Sequence, residues 1–253
     1  MNDYNLQRPI GRANSSGTKY GLTVNWIHLL IGGALCYFWL FENWAFLLSL
    51  AVVVLIHELG HVVMGRFFGC VIKEMQVFIL CFLSYKPLPV AGRRSWRNIT
   101  WSLGTLPLGG FTTFMTRPAG YPVTPSDTAT SPYLDDKPAR QRLLIAAGGV
   151  IFNFATFIAL YIAMPHLSDT ANTALWDTMM VSLIFAVLNI LPVYPLDGGS
   201  IIFACYEMIT GRKPSKQFIS TCGIIGMVFI LLFFWIFPQW MHSILDRVFN
   251  VFF

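Results

Sequence analysis

Long apolar stretches, separated by short polar ones, dominate the pattern of this chain. A helix needs about 20 mostly apolar residues to cross a bilayer. Five stretches approach or reach that length: 24–41, 44–64, 143–164, 174–193 and 217–237. Only Glu42 and Asn43 separate the first two, which predicts a tight helical hairpin. The pattern therefore predicts an all-α, polytopic membrane protein with about five transmembrane helices.

One long segment, between the second and third predicted helices, breaks this pattern. Residues 70–85 are rich in Val, Phe and Ile but are too interrupted to span a membrane, and residues 96–114 alternate apolar and small residues. Such alternation favours short strands and tight turns. We expect a small membrane-associated β or re-entrant region here, followed by a Pro-, Thr- and Asp-rich loop over 117–138.

These patterns divide the chain into three parts. Residues 1–43 are predicted to form an N-terminal cytoplasmic tail and the first transmembrane helix. Residues 44–210 form the predicted core, and residues 211–253 a C-terminal transmembrane helix and tail.

Composition agrees with a membrane protein and excludes other classes. Hydrophobic residues make up 55% of the chain and charged residues 11%, against about 25% charged in an average soluble domain. A disordered chain is therefore excluded, and a soluble enzyme is disfavoured. The five cysteines are scattered without a CxxC pair, which favours reduced, apolar packing roles.

The basic residues predict the orientation of the chain. Lys and Arg concentrate on the cytoplasmic side of membrane proteins. With the N-terminus inside, 16 of the 17 Lys and Arg residues are cytoplasmic, and only Arg247 lies outside. We expect a multi-pass protein of the bacterial inner membrane. Its net charge of +5 then indicates contact with anionic lipids rather than with nucleic acid.

A chemically distinctive motif ends the second apolar stretch. His57, Glu58 and His61 form HExxH, and the two histidines of this motif share one face of a helix. Neutral imidazoles are good zinc ligands, and the adjacent glutamate can take a proton from a water molecule. Ionisable side chains inside a membrane span are costly and usually functional. We therefore interpret the motif as a metal site with Glu58 as general base.

Two histidines leave such a site one protein ligand short. Asp197 is the better candidate, because the fourth span returns it to the same cytoplasmic depth as the HExxH motif. The nearby prolines and glycines break the helix and let the backbone bend there. Alternatively, Asp197 only caps the helix that follows it. The other candidates are histidines in the first span and on the outer side: His28, His166 and His242.

Two motifs together resemble the site-2 protease family of intramembrane metalloproteases. They are HELGH at 57–61 and NILPVYPLDGG at 189–199. Weaker elements of the resemblance are LPLGGF at 106–111 and the start of the third span, with AAGG at 146–149 and Asn153. The resemblance covers roughly residues 44–210.

The resemblance implies an enzyme that cuts peptide bonds in or near transmembrane segments of single-span membrane proteins. It implies Zn²⁺ bound by His57, His61 and Asp197, with Glu58 as general base. It also implies that Asn189 and Asn153 help to bind the substrate. We expect no PDZ or CBS accessory domain in this chain. The alternative is a membrane protein that binds or transports metal without proteolytic activity.

Overall fold

In the computed structural model, residues 21–31, 33, 44–87, 96–117, 131–166 and 168–232 are described. Helices dominate this part of the chain, and a three-stranded sheet lies beside them. The strands are β1 (Gly21–Val24), β2 (Ile72–Lys86) and β3 (Thr100–Phe114). The helices are α1 (Trp44–Phe67), α2 (Ala139–Ala163), α3 (Asp169–Ile190), α4 (Asp197–Thr210) and α5 (Lys216–Leu232).

The helix that carries HExxH ends at a defined signal. α1 is a run of Leu, Val and Ala whose last turn carries Arg66, a charge that favours the negative end of a helix dipole. Gly69 follows with a φ of 77°, a left-handed conformation that glycine adopts without a Cβ clash. The backbone N–H of Cys70 donates to the Gly65 carbonyl oxygen over 2.8 Å, which satisfies one of the last helical carbonyls. This turn directs the chain from α1 into β2.

The sheet has the order β1-β2-β3 and pairs antiparallel. β1 pairs with the end of β2, Val24 standing opposite Leu83. Both halves of β2 pair with the start of β3, and the first half also pairs with its end. Val77 stands opposite both Leu103 and Gly110, whereas Leu83 in the second half stands opposite Leu103. Positive φ angles of 65° at Phe78 and 56° at Leu80 mark the irregular stretch between these halves.

The sheet is larger than the sequence predicted. A β region between the second and third predicted spans is confirmed, but β3 has 15 residues rather than several short strands. β1 also joins the sheet from the part of the chain assigned to the first span. Val24 ends that strand, and the helical residues begin at 26, two residues later than predicted. The rest of that predicted span, beyond residue 33, lies outside the described residues.

The core joins α1 to the sheet, and α2 packs against three other helices. The apolar cluster is formed mainly by α1 and the first half of β2, with Val53, Val54 and Ile72 at 0–1% exposure. Ile99, just before β3, and Val181 of α3 complete it. α2 contacts α1, α3 and α4, so it stands between the two helices that carry the predicted metal ligands. A buried hydrogen bond of 3.0 Å from Thr178 Oγ1 to Ser49 Oγ joins α3 to α1.

Two described helices are long and apolar enough to cross a membrane, judged by length and composition. They are Ala45–Phe67 and Ala139–His166, and two shorter apolar helices cover Leu175–Ile190 and Lys216–Leu232. A mostly helical fold with a small antiparallel sheet is therefore confirmed. The count of five membrane-spanning helices stays a prediction, as does the division of the chain into three parts.

The two ends of the predicted loop over 117–138 are joined by an ion pair. Arg117 Nε donates to Asp136 Oδ1 over 2.9 Å, and Ser131 Oγ donates to the same carboxylate. The Val71 backbone N–H also donates to the Pro132 carbonyl oxygen over 2.9 Å. The hydrogen bonds from Arg117 hold the pKa of Asp136 below its usual value. Residues 131–137 are thereby fixed against the end of β3, next to the start of α2.

Candidate metal centre

The two histidines of HExxH lie side by side on one face of α1. Their Nε2 atoms are 3.3 Å apart, and their rings meet edge to face with centroids 4.9 Å apart. Both residues are buried, His57 at 6% and His61 at 8% exposure. Because residues four apart on a helix lie one above the other, the local sequence alone creates this half of the site.

The third predicted ligand comes from the first turn of α4. Asp197 places Oδ2 3.1 Å from His57 Nε2 and Oδ1 3.3 Å from His61 Nε2. Between α3 and α4 the chain contains Pro192 and Pro195, which cannot continue a helix interior. This break allows Asp197 to turn toward α1. The three side chains then offer ligand atoms within 4.8 Å of one another.

The surroundings of these atoms fit a metal ion. Asp197 Oδ2 is buried and accepts no well-aligned hydrogen bond, despite its proximity to His57 Nε2. His61 Nδ1 lies 2.8 Å from the Ile145 carbonyl oxygen. Since a carbonyl only accepts, it favours the proton on Nδ1 and leaves the Nε2 lone pair for a metal. Two neutral imidazoles and a carboxylate form a donor set that Zn²⁺ uses in catalytic sites.

A glycine of α2 keeps the space beside the imidazoles open. A Cβ at Gly149 would lie 2.5 Å from His57 Cε1 and 2.6 Å from the Nε2 atoms of both His57 and His61. These distances are shorter than real Cβ contacts, so a larger residue would have to displace the ligands. On α1, between His57 and His61, a Cβ at Gly60 would likewise clash with the Gly148 carbonyl oxygen of α2. The small residues therefore let α2 approach α1 at the level of the ligands.

The carboxylate of Glu58 is held by the sheet. Glu58 is 3% exposed, and Thr112 Oγ1 on β3 donates to Glu58 Oε2 over 2.7 Å. β3 comes this near because Gly110 has no side chain; a Cβ there would lie 3.0 Å from Glu58 Oε1 and 2.5 Å from the Gln76 carbonyl oxygen. The carboxylate adjacent to the first ligand is thus oriented by a neighbouring strand as well as by its own helix.

The two predicted substrate-binding asparagines lie in different environments. Asn153 is fully buried on α2, and its side-chain amide is 3.1 Å from His57 Nδ1. Asn189 is half-buried in the last turn of α3, where Nδ2 donates to the Phe185 carbonyl oxygen over 3.0 Å. Substrate binding by either residue stays a prediction.

The other histidines do not join the cluster among the described residues. His28 Nδ1 lies 2.7 Å from the Cys81 carbonyl oxygen, where the ring holds the short helical segment to β2. His166 is exposed in the turn after α2. His242 lies outside the described residues.

Several contacts of the centre had no signal in the sequence. Thr112 is an unremarkable strand residue until the fold places it against Glu58. An ion pair between Arg142 of α2 and Glu207 of α4 holds together the two helices that flank the ligands. Its partners are 65 residues apart in sequence. Gly149 belongs to a motif quoted above, but its proximity to the imidazoles depends on helix packing.

A family comparison matches the part of the chain that builds this centre. The sequence model described as Peptidase family M50 matches residues 45–172 and 161–233. These ranges contain the two histidines, Glu58 and Asp197, and they cover more than half of the chain. The chain belongs to peptidase family M50. The His-His-Asp cluster is thus a feature of an M50 chain and not an isolated coincidence of three side chains.

Curated relatives of this M50 chain carry the names of metalloproteases. RSc1411 of Ralstonia nicotianae, which has the provisional name of a zinc metalloprotease, is 32% identical over 122 residues. That alignment covers 46% of this chain and 25% of the relative. Metalloprotease MmpA of Caulobacter vibrioides is 28% identical over 130 residues, covering 46% of this chain and 31% of the relative. The M50 chain therefore spans only about a quarter to a third of these relatives' length.

A solved structure shares the fold of the M50 chain. The site-2 protease from Methanocaldococcus jannaschii matches with a TM-score of 0.50 at 20% sequence identity. The match covers 88% of this chain and 82% of the solved chain. Together with the family match, this shared fold confirms the resemblance to site-2 proteases inferred from two short motifs. The family and the apolar helices are those of a membrane protein.

Proposed function

We propose that this chain is a zinc-dependent intramembrane protease that hydrolyses peptide bonds in or near transmembrane segments of single-span membrane proteins. The observation that carries the proposal is the convergence of His57, His61 and Asp197 beside the buried carboxylate of Glu58. A metal store needs ligands only. A hydrolase also needs a base that does not belong to the ligand set, and this geometry supplies one.

The chemistry divides between the ligands and Glu58. His57, His61 and Asp197 would hold Zn²⁺, which when bound lowers the pKa of a water molecule and polarises the scissile carbonyl. Glu58 takes the proton from the attacking water and returns it to the leaving amine. Thr112 keeps the Glu58 carboxylate in place during this exchange, because its hydroxyl donates to Oε2 over 2.7 Å.

The substrate would reach this centre as an extended chain. Helical hydrogen bonds hide the carbonyl groups of a transmembrane helix, so the scissile segment has to unwind. The end of β3 passes beside Glu58, as the contact with Thr112 requires. Adding the unwound segment to this part of the sheet would give its backbone hydrogen-bond partners and present a carbonyl to the centre.

The protein is proposed to cross the bacterial inner membrane several times with its N-terminus and the sheet in the cytoplasm. The concentration of Lys and Arg supports this orientation. Cysteine labelling in intact cells tests it at two exposed residues, Lys73 at the start of β2 and His166 after α2. We expect His166→Cys to react with an impermeant reagent and Lys73→Cys to react only after permeabilisation. The reverse result would invert the orientation.

Comparison of Glu58→Gln with wild type tests the function. Purified protein in liposomes is given a single-span reporter substrate, and cleavage and bound zinc are measured on the same samples. We expect Glu58→Gln to keep its zinc and to lose cleavage. Glu74→Gln is the matched control, since Glu74 is a partly buried carboxylate that accepts a hydrogen bond from Ser102 within the sheet.

A protein that only binds or transports metal would give a different result in this comparison. Such a protein would bind zinc without cleaving the reporter, and Glu58→Gln would change neither property. Cleavage by Glu58→Gln at the wild-type rate would also refute the role of this residue as general base.

A further inference from the structure

Asn153 occupies a position that the proposed chemistry does not yet use. It is fully buried in the middle of α2, and its amide lies 3.1 Å from Nδ1 of His57. Its own backbone carbonyl oxygen accepts a hydrogen bond of 2.9 Å from Ser182 Oγ on α3. The residue is therefore held on both sides, by a neighbouring helix and by a proposed metal ligand.

The contact falls on the side of the His57 ring that faces away from the metal position. Nε2 of His57 faces Asp197 and His61, and Nδ1 faces Asn153. A neutral imidazole has one N–H and one lone pair. To bind zinc through Nε2, His57 has to carry its proton on Nδ1, and that proton needs a hydrogen-bond acceptor.

His61 meets the same requirement through the backbone. The Ile145 carbonyl oxygen, 2.8 Å from His61 Nδ1, can only accept a hydrogen bond, which places the proton on Nδ1. For His57 the equivalent position is taken by the Asn153 amide, which places Nδ2 3.1 Å from Nδ1. The side-chain oxygen would become the acceptor if this amide were turned. The oxygen and nitrogen of an amide exchange places by a half-turn of the terminal group, and the hydrogen-bond network decides which one faces a partner.

The two amide orientations have different consequences for His57. With the nitrogen toward the ring, the amide would donate to Nδ1 and favour the proton on Nε2, toward Asp197. This is the orientation in the structure, where Asn153 Oδ1 is buried and makes no hydrogen bond. With the oxygen toward the ring, His57 Nδ1–H donates to Oδ1, and the Nε2 lone pair faces the other ligands. Zinc binding therefore requires the second orientation.

We propose that Asn153 is a positioning residue for the metal centre, whose side-chain oxygen accepts a hydrogen bond from His57 Nδ1–H and selects the zinc-binding tautomer. This inference rests on the proposed function only in requiring zinc at the His-His-Asp cluster. Partners of this kind commonly change metal affinity by about 10- to 100-fold when they are removed.

Two substitutions that keep the number of side-chain heavy atoms of asparagine separate acceptance of a hydrogen bond from packing. Asn153→Asp keeps an oxygen that accepts from His57 Nδ1–H, whereas Asn153→Leu fills the same space without an acceptor. The zinc affinity of the full chain in detergent is measured by competition with a chelator. We expect Asn153→Leu to bind zinc roughly 10- to 100-fold more weakly than wild type and Asn153→Asp to stay within about 10-fold.

Ser182→Ala is the control for helix packing, because it removes the α3 hydrogen bond to the same residue without touching the imidazole. We expect it to lower the melting temperature of the zinc-free protein with little change in zinc affinity. Wild-type affinity in Asn153→Leu would overturn the inference. So would equal losses in the Asp and Leu variants.

These outcomes are distinct from a failure of the proposed function. If the wild-type protein binds zinc but cleaves no reporter, the proposed protease activity is refuted. The role of Asn153 is still supported in that case if the Leu and Asp variants differ in zinc affinity as expected. Wild type that binds no zinc would refute both.

Discussion

Substitution of Gly149 by alanine is the sharpest test of the metal centre as packed here. The added methyl group would lie 2.5 Å from His57 Cε1 and 2.6 Å from both ligand Nε2 atoms. Ordinary carbon contacts are optimal at about 3.5–4.0 Å, so the methyl group or the imidazoles would have to move by about 1 Å. Since Zn–N distances are only about 2.0–2.1 Å, a displacement of this size disrupts the ligand geometry.

The expected magnitude follows from the cost of overpacking. Extra atoms in a well-packed site typically cost about 1–3 kcal/mol, which corresponds to roughly a 5- to 150-fold loss of zinc affinity if the strain falls on the bound state. Alanine is also a better helix former than glycine, by about 1 kcal/mol in a helix interior. We therefore expect zinc affinity to fall much more than the stability of the zinc-free protein.

The assay is chelator competition on purified protein, with thermal melting of the zinc-free form measured in parallel. Gly223→Ala in α5 is the matched control, because its Cβ would meet only the Tyr194 ring, at 3.3 Å. The control should bind zinc like wild type. If Gly149→Ala also bound zinc with wild-type affinity, the close approach of α2 to the imidazoles would be wrong.

Three further perturbations test contacts around the centre. Thr112→Val removes the hydroxyl that donates to the proposed general base. Because a hydrogen bond to a charged group is worth about 1.5–3 kcal/mol, turnover should fall by roughly 10- to 150-fold with zinc content unchanged. Thr112→Ser should recover most of that turnover, and equal rates in all three proteins would contradict the contact. Arg142→Glu should loosen α4 and weaken zinc binding, and adding Glu207→Arg should restore part of the affinity; a double variant no better than the single one would argue against the ion pair. The hydrogen bonds from Arg117 lower the folded-state pKa of Asp136 from 3.8. The ion pair between these two residues therefore stabilises the fold above about pH 4, and this contribution is lost as the pH falls through the lowered pKa. The protection of residues 131–137 from hydrogen exchange, taken relative to the unfolded chain at the same pH, should therefore fall in acid. Asp136→Asn should show low protection already at neutral pH, and unchanged protection in that variant would contradict the role of the ion pair.

The sequence was sufficient wherever the chemistry depends on neighbours along the chain. His57, Glu58 and His61 occupy one or two turns of a single helix, so their relative placement needs only helical geometry. The apolar stretches predicted the helices for a similar reason, since length and composition alone decide whether a helix can span a bilayer. Asp197 was predicted because the fourth apolar stretch returns it to the depth of the HExxH motif, where Pro and Gly also interrupt the helix.

Tertiary structure decided how these pieces meet. β1 precedes α1 in the sequence, whereas β2 and β3 follow it. Strand pairing over such a sequence separation leaves no local signature. The contacts of Thr112 with Glu58 and of Asn153 with His57 join residues 54 and 96 positions apart. Gly149 acquires its meaning only where two helices approach closely enough for a methyl group to clash. Helical periodicity fixes which side chains share a face, but the packing of one helix on another fixes what that face touches, and that packing depends on the whole core.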